Sequence, residues 1–186
     1  MFSEPVRFAD ASTMPWLGGG GVTHELARYP AEGEFGWRLS VAEVEQDGDF
    51  SRLAGVDRVI VLCSAGRMAL HSAGSVDLQR FSPYAFDGGA EIRCTVPDGP
   101  TRDFNVMTRR GRYVADVSTV VRDRAVVDAS PGADVFVVCL DGEVACGAQL
   151  GVFDLVRLAG ATEVDAASGA AAIVSIRSAS DVSGRN

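Results

Sequence analysis

Short apolar runs rich in Val, Ile and Phe recur along the chain, separated by Gly, Pro, Asp and Ser. Many short strands with frequent turns predict an all-β sandwich or barrel. Only brief helices are expected, one near Phe50–Leu53 and one turn after Thr23. The runs that read as strands are Arg38–Val44, Val56–Cys63, Arg67–His71, Val76–Phe81, Ile92–Val96, Phe104–Thr108, Val114–Val121, Val135–Leu140, Val152–Leu158 and Ala172–Ile176.

Two stretches of the chain echo each other. The segment VLCSAGRMAL (61–70) aligns with VVCLDGEVAC (137–146), which pairs Cys63 with Cys139 and Gly66 with Gly142. Downstream, DLQR (77–80) echoes DLVR (154–157) at nearly the same offset. Each copy reads as strand, tight turn, strand, turn and strand. Two such units in order predict a pair of duplicated small barrels.

Length and charge limit the classes of protein that this chain can represent. Its 186 residues are enough for one domain or two small fused lobes. A net charge of −8 disfavours sequence-independent binding to nucleic acid, which needs a dense cationic surface. The first ten residues, MFSEPVRFAD, contain no apolar leader core, and no run is long enough to span a bilayer. We therefore expect a cytoplasmic protein that engages neither nucleic acid nor membrane.

Cysteine and histidine spacing gives no sign of a metal site or disulfide. The four cysteines have no CxxC spacing, and three lie in strand-like runs, so buried reduced thiols are expected. The stretch LDGEVACG followed by FDLVRL resembles the core of a cupin half-barrel. Cupin metal sites usually contain a His-x-His pair, whereas this chain has only His24 and His71, far apart. No metal and no cofactor are predicted. All 17 cationic residues are arginine, so lysine chemistry is excluded.

The stretch WLGGGGVTHE (16–25) is the first candidate for ligand contact. Four glycines allow the backbone to approach a ligand closely or to adopt positive φ, and their N–H groups can form an anion-binding nest. Neither a phosphate-binding loop nor a dinucleotide fingerprint follows. A flexible turn and a ligand-binding loop both remain open.

Two further stretches have strand alternation with an unusual polar row. In FGWRLSVAEV (35–44), the alternate row beginning at Gly36 is small and carries the single cation Arg38. In DFNVMTRRG (103–111), one row holds Asp103, Asn105, Met107 and Arg109. Such a row fits a solvated edge, but an amide, an apolar side chain and a guanidinium also suit the lining of a pocket. Pattern alone leaves both interpretations open for each strand.

No nucleophile is evident. Ser40 and Ser51 lack an obvious histidine partner, and no G-x-S-x-G occurs. Carboxylate pairs such as Asp47/Asp49 fall in turn-like sequence. These observations do not favour a catalytic constellation.

Taken together, these stretches resemble the HutD/Ves family. The resemblance rests on W…GGG.T.E, F.WRLSVAEV…DG.FS…GVDR and F.G…C…DGP..DFNVM.RRG, and is dense from about Trp16 to Gly111. The family usually has Asn before its triple glycine, often after a basic residue; here Leu17 and Gly18 occupy those places, so any contact made by that Asn side chain is lost or moved to the backbone.

The resemblance implies a double-barrel, cupin-like fold of the bicupin, jelly-roll type. A single bicupin domain over 1–180 is expected, with lobes at roughly 15–112 and 113–178 and a flexible tail at 179–186. It also implies ligand-binding residues, carried over position by position: Trp16, Gly20, Thr23, Glu25, Arg38, Ser40, Asp103, Asn105, Met107, Arg109 and Arg110. Because neighbouring strand residues point to opposite faces, Arg109 is expected to share the face of Asn105 unless a bulge turns Arg110 inward.

The implied function is a non-catalytic sensor or regulator of histidine utilisation that binds a small anionic carboxylate such as N-formylglutamate. Arg38 with Arg109 or Arg110 would hold carboxylates, since paired guanidinium bonds are strong and directional. The alternative is a metal-independent isomerase or hydrolase of that pathway, with Glu25 or Asp103 as general base. A purely structural partner of another pathway protein is a third interpretation. Homodimer formation is left open.

Overall fold

Antiparallel strands form almost the whole structure and divide between two units of the chain. The computed structural model describes residues 3–129 and 131–183. Residues 12–110 form the first unit, called the first barrel below; the described parts of residues 1–11 and 111–186 form the second barrel. The predicted all-β fold with few short helices is confirmed.

The first barrel contains ten strands in two sheets. The larger sheet has the order β1-β2-β3-β10-β5-β8, and the smaller one β4-β9-β6-β7. Two antiparallel sheets connected in this way form a jelly roll. The strands are β1 (Ser12–Pro15), β2 (Gly21–Tyr29), β3 (Trp37–Val44), β4 (Gly48–Asp49), β5 (Val56–Leu62), β6 (Ala69–His71), β7 (Ser75–Asp77), β8 (Pro83–Asp87), β9 (Arg93–Thr95) and β10 (Thr101–Arg109).

The second barrel repeats this plan with eight strands. Its sheets have the orders β11-β18-β13-β16 and β12-β17-β14-β15. Gly111, at φ +75°, makes the turn from β10 into β11. The elements are the 3-10 helix η1 (Phe8–Asp10), the strands β11 (Tyr113–Val121), β12 (Arg124–Val127), β13 (Ala133–Asp141), β14 (Val144–Ala145), β15 (Gln149–Leu150), β16 (Leu155–Leu158), β17 (Thr162–Asp165) and β18 (Ala170–Ser178), and the helix α1 (Ala179–Ser183).

The two strand orders correspond one to one, which agrees with the predicted duplication. Each strand from β3 to β10 has its counterpart eight strands later, and β1 and β2 are additions to the first barrel. The echoed segments fall on β5–β6 and β13–β14. Leu62 lies in the core of the first barrel and Cys139 lies in the core of the second. The structural counterpart of Cys139 is therefore Leu62, one residue away from the Cys63 that the sequence alignment pairs with it. The same strand has a register shift between Cys139 and Asp141.

The expected helices near Phe50–Leu53 and after Thr23 do not form. Thr23 lies within β2, and residues 50–53 are irregular. The Phe50 N–H donates to the Ile92 carbonyl at 2.8 Å and the Leu53 N–H to the Gly88 carbonyl at 2.6 Å. Because these backbone donors are taken by a distant segment of the chain, the local helical pattern of bonds is not made.

The described C-terminal segment includes one short helix. Of the predicted flexible tail, residues 179–183 form α1, while residues 184–186 lie outside the described residues.

All four cysteines are buried and free, in agreement with the prediction of reduced thiols. Within the described ranges, no helix is both long and apolar enough to cross a membrane.

The interior of the first barrel is apolar at one end and polar at the other. Ala42, Val44, Ile60 and Leu62 on the large sheet pack with Met68 and other side chains of the small sheet. Further along β3, β10 and β5, the same interior face carries polar and charged groups. These three strands adjoin one another within the large sheet, and they position the candidate site.

Asp154 attaches the N-terminal segment to the second barrel. Its carboxylate accepts hydrogen bonds from Arg7 Nη1 at 2.6 Å, from the Phe8 N–H at 2.9 Å and from the Gly151 N–H at 3.0 Å. Burial raises the pKa of this carboxyl, but these bonds together outweigh burial and leave the pKa below its ordinary value. The ionised form therefore stabilises the folded state above the ordinary carboxyl pKa, and that stability is lost on acidification.

We predict that Asp154→Asn lowers the free energy of unfolding by about 1–3 kcal/mol at neutral pH, because a charged acceptor of three bonds is replaced. Urea denaturation measures this difference. The gap between wild type and variant should close as the pH falls below about 4. Asp10→Asn, which changes an exposed carboxylate of the same segment, is the control. Equal stability of Asp154→Asn and wild type at pH 7 would contradict this role.

Candidate functional site

A cavity of about 400 Å³ opens into the polar end of the first barrel. Side chains from β2, β3, β5 and β10 line it, together with the turn between β1 and β2 and the irregular segment after β4. Its size is in the range that holds a small metabolite, which is roughly 300–1,000 Å³.

The register of three adjacent strands arranges the cavity floor in rows. Arg38, Met107 and Arg58 form one row across β3, β10 and β5. Neighbouring strands are about 4.8 Å apart, so the Cα atoms of the two arginines are separated by roughly 10 Å. The next rows along the strands, also read from the register, are Ser40, Asn105 and Ile60, and then Ala42, Asp103 and Leu62.

Arg58 is the most buried cation of the site. It is only 7% exposed, and its guanidinium lies over the adjoining Phe50 and Phe86 rings, 5.0 Å and 4.8 Å from their centroids. Its Nη2 donates to Asn105 Oδ1 at 2.8 Å. Burial lowers the pKa of Arg58 to about 10, and the nearby Asp103 charge opposes that shift. The guanidinium therefore stays charged at neutral pH, held by two rings and one amide.

Asp103 is completely buried at the inner end of the cavity. Asn105 Nδ2 donates a hydrogen bond to Asp103 Oδ1, so Asn105 connects this carboxyl to Arg58. The second oxygen, Oδ2, has no hydrogen-bond partner among the described residues. Burial raises the pKa of Asp103 to about 7, while the Arg58 charge and the Asn105 hydrogen bond oppose the rise. Near neutral pH, both protonation states of this carboxyl are populated.

Arg38 stands on the other side of Met107. Its Nη2 donates to the Met107 sulfur at 3.3 Å, and its guanidinium lies 5.1 Å from the Phe35 ring centroid. Its Nε is buried and has no partner in the described part of the chain. Burial lowers the pKa of Arg38, the Glu25 charge opposes this, and the Arg28 charge adds to it.

The glycine-rich turn forms one side of the cavity mouth. Trp16, Gly18 and Gly19 line it, and Trp16 Nε1 donates to Thr23 Oγ1 at 2.9 Å. Gly19 has a φ of +70°, and a Cβ on Gly21 would lie 2.6 Å from the Glu43 carbonyl oxygen. The glycines therefore serve both the turn and the close approach of strands. Leu17 in this turn is fully exposed.

The structure brings together most of the residues predicted to bind ligand. Those that line the cavity are Trp16, Thr23, Arg38, Ser40, Asp103, Asn105 and Met107. The others lie away from the described lining: Gly20, Glu25, Arg109 and Arg110. Gly20 faces the Gln46 side chain, and Glu25 Oε2 lies 4.0 Å from Arg28 Nη1.

Neither of the paired arginines reaches the cavity lining. Arg109 Nη1 donates to the Ala54 carbonyl at 3.3 Å, and Arg109 Nη2 lies 3.6 Å from Glu34. Arg110 is exposed and binds the carboxylates of Asp57 and Asp87, at 2.8 Å and 2.9 Å. The alternation of the strand explains why Arg110 points away from Asn105.

Arg58 and Phe50 were not among the predicted site residues. A signal for Arg58 was present, because Val56, Arg58, Ile60 and Leu62 alternate on one face of β5 and only one of them is charged. The sequence pattern predicts a helix at Phe50 and indicates no partner for its ring. Its position depends on contacts with segments distant in sequence, which no local pattern shows.

The arrangement suits an anion better than a cation. Two guanidinium groups face one cavity, and each retains a buried Nε donor without a partner in the described residues. Arginine pairs with carboxylates through strong, directional bonds. His24 contacts Thr13 at 3.2 Å, and His71 contacts Thr95 at 2.9 Å, on different strands. Across the described ranges, no group of three or more His, Cys, Asp or Glu is placed to hold a metal ion.

Two jelly rolls in one chain, with a ligand-sized cavity in the first, define a bicupin-like protein. The family model described as HutD matches residues 8–174, and the chain belongs to the HutD family. A 21.2 kDa protein in the hutC 3' region of Pseudomonas putida is 34% identical over 167 residues, covering 86% of this chain and 88% of that protein. The protein Ves of Cronobacter sakazakii is 37% identical over 123 residues, covering 63% and 68%.

Solved structures agree with this assignment. HutD from Pseudomonas fluorescens SBW25, in a formate condition, has a TM-score of 0.85 at 30% identity and covers 96% of this chain and 99% of that one. The pirin YhhW of Escherichia coli, in complex with nickel(II), has a TM-score of 0.66 at 8% identity, covering 96% and 99%. The second likeness concerns the fold alone.

We predict that Asp103 makes folding stability depend on pH. An Asp carboxyl in an unfolded chain has a pKa of about 3.9, whereas the buried Asp103 carboxyl has a pKa of about 7. Between these values the folded state binds more protons, so wild-type stability should fall as the pH rises from about 4 to about 7 and then level off. Urea denaturation should show that the free energy of unfolding differs less between pH 5 and pH 8 in Asp103→Asn than in wild type. Asp128→Asn, an exposed carboxylate, should behave like wild type, and an unchanged slope in Asp103→Asn would refute the prediction.

Proposed function

We propose that the protein is a non-catalytic binding protein for a small carboxylate, held in the cavity of the first barrel, and that it acts as a sensor or regulator in histidine utilisation. N-formylglutamate is the proposed ligand.

The observation that carries the proposal is the contrast between the two barrels. In the second barrel, the strands that correspond to β5 and β10 place Val135, Cys139 and Ala171 in the core, and the buried polar side chains among its described residues are Asp154 and Thr162. In the first barrel, the corresponding strands carry the buried Arg58, Asp103 and Asn105. Burial of charge costs free energy unless the group is paired, and the apolar core shows that the jelly roll does not need it. The polar residues are therefore best explained by a ligand.

The charge arrangement supports a carboxylate ligand. Arg38 and Arg58 flank Met107 in one row and face the same cavity. A planar carboxylate accepts two parallel bonds from one guanidinium, which makes arginine more selective than a point charge. A ligand with two carboxylates could engage both arginines across their separation of roughly 10 Å at the Cα atoms.

Asn105 connects the two charged groups of the cavity. Its carbonyl oxygen accepts from Arg58 and its amide nitrogen donates to Asp103, so both ends of the amide are engaged within the protein. It orients the two charged groups. Ser40, beside Asn105 in the same row, is the residue that we propose to contact the formyl or amide group of the ligand.

Two relatives motivate the choice of ligands for testing. The Pseudomonas putida relative lies in the hutC 3' region, and the Pseudomonas fluorescens HutD structure is a formate condition. Formate is the smallest carboxylate, and N-formylglutamate combines two carboxylates with a formyl group. Both suit a cavity that presents two guanidinium groups.

We predict that N-formylglutamate binds wild type and that Arg58→Gln and Arg38→Gln each weaken binding about 10- to 100-fold, since a charged hydrogen bond contributes about 1.5–3 kcal/mol. Isothermal titration calorimetry measures the affinities, with urocanate, glutamate and formate as comparison ligands. Arg67→Gln, which changes an arginine on the exposed surface, is the matched control and should bind like wild type.

Circular dichroism and thermal melts separate loss of binding from loss of fold. Arg38→Gln is the safer test, since Arg38 is less buried than Arg58. Failure of all these ligands to bind wild type at millimolar concentration would count decisively against the proposal, as would equal binding by Arg38→Gln and Arg67→Gln.

A second candidate function is a metal-independent isomerase or hydrolase of the same pathway. The observation in its favour is Asp103, a buried carboxyl with a pKa of about 7 and with Oδ2 unpartnered among the described residues. Such a group can act as a general base. Turnover of N-formylglutamate by wild type that is abolished in Asp103→Asn, with binding retained, would establish this candidate. Binding without turnover would leave the sensor role.

A further inference from the structure

We propose that Asp103 contacts the bound ligand as a neutral carboxylic acid, so that each anion entering the cavity is accompanied by one proton. This inference rests on the proposed function, because it concerns the same cavity and the same carboxylate ligand. It makes the site a sensor of pH as well as of metabolite.

The position of Asp103 supports such coupling. The residue is fully buried, lines the cavity, and uses only Oδ1 in its bond with Asn105. Oδ2 lacks a partner within the described part of the chain. An ionised Oδ2 would repel an incoming carboxylate, whereas a protonated Oδ2 can donate a hydrogen bond to an acceptor on the ligand.

The balance of charge leads to the same conclusion. Arg38, Arg58 and an ionised Asp103 have a net charge of +1 together, and protonation of Asp103 raises it to +2. The charge of +2 in the protonated state balances the two negative charges of a ligand with two carboxylates. Because the groups lie in a buried environment, an unmatched charge is costly.

The other titratable groups near Asp103 do not replace it as the group that takes up a proton when the ligand binds. On the opposing sheet, burial first and then the charge of Asp103 raise the pKa of the Cys94 thiol to about 12, so this thiol stays neutral. Asp47 accepts the Val96 N–H at 2.8 Å, and Asp49 lies 3.6 Å from Arg93. On β2, Glu25 lies 4.0 Å from Arg28.

Neither histidine lies in the described lining of the cavity. His24 contacts Thr13 across β1 and β2, and His71 contacts Thr95 across β6 and β9. Arg58 keeps its charge in the range of pH 6–9, since its pKa is about 10. Among these groups, Asp103 is the one placed to take up a proton when an anion binds.

The titration behaviour of the free site is consistent with this coupling. Burial raises the pKa of Asp103 to about 7, against the opposing effects of Arg58 and Asn105. An anion in the cavity adds negative charge and displaces water, and both effects raise this pKa further. By linkage, the apparent affinity should be constant below about pH 6 and should fall about tenfold per pH unit above about pH 7.

Calorimetry with N-formyl-L-glutamate at pH 6, 7, 8 and 9 tests the inference. The ligand carboxylates remain ionised throughout, so they do not contribute to the pH dependence. At pH 8, titrations in Tris and in HEPES should give different observed enthalpies, and the difference measures uptake approaching one proton per ligand. In Asp103→Asn, the affinity should not depend on pH, and the observed enthalpies in Tris and HEPES should indicate no proton uptake. In Asp128→Asn, the pH dependence of the affinity and the proton uptake should match those of wild type.

The outcomes distinguish this inference from the proposed function. Binding to wild type with equal affinity at every pH and no proton uptake would overturn the coupling and leave the binding function intact. Absence of binding at every pH would overturn both. The wild-type proton count does not depend on whether Asp103→Asn folds.

Infrared difference spectra of ligand-free wild type against Asp103→Asn give a test without ligand. A band of a protonated carboxyl should be present at pH 5.5 and should be lost as the pH rises through about 7. An Asp103 already ionised at pH 5.5 would contradict the raised pKa of this carboxyl, on which the predicted pH range of the affinity rests.

Discussion

The structure of the site depends on one buried connection, in which the Arg58 guanidinium donates to Asn105 and Asn105 donates to Asp103. A cation and a carboxyl inside a β-barrel are unfavourable unless each is paired. Here a single amide holds both in place, and the guanidinium packs over the Phe50 and Phe86 rings. The irregular path of residues 50–53 brings the Phe50 ring over Arg58.

The duplication separates what the fold requires from what the site requires. Both barrels have the same order of eight strands. The core of the second is filled by Val, Leu, Ala and Cys, so an apolar interior satisfies the jelly roll. The first barrel has the same framework with charged groups on three adjoining strands, and β1 and β2 added beside them. These additions supply Trp16 and Thr23, so they extend the cavity as well as the sheet.

The sequence predicted the fold well and the site only in part, for identifiable physical reasons. Strand alternation correctly placed Asp103, Asn105 and Met107 on one face, because that property is local. The pairing of β10 with β5 depends on contacts distant in sequence, so the place of Arg58 beside Met107 could not be predicted. The same limitation applied to residues 50–53, whose backbone bonds are made with residues 88 and 92.

The central claim is that the first barrel, and not the second, holds a carboxylate ligand. A crystal structure of the protein soaked with N-formyl-L-glutamate tests it most directly. The account predicts ligand density in the first barrel, with a carboxylate in hydrogen-bond contact with Arg38 or Arg58 and the ligand adjacent to Asp103. Ligand bound in the second barrel or only on the exterior, with the cavity of the first barrel unchanged, would contradict it.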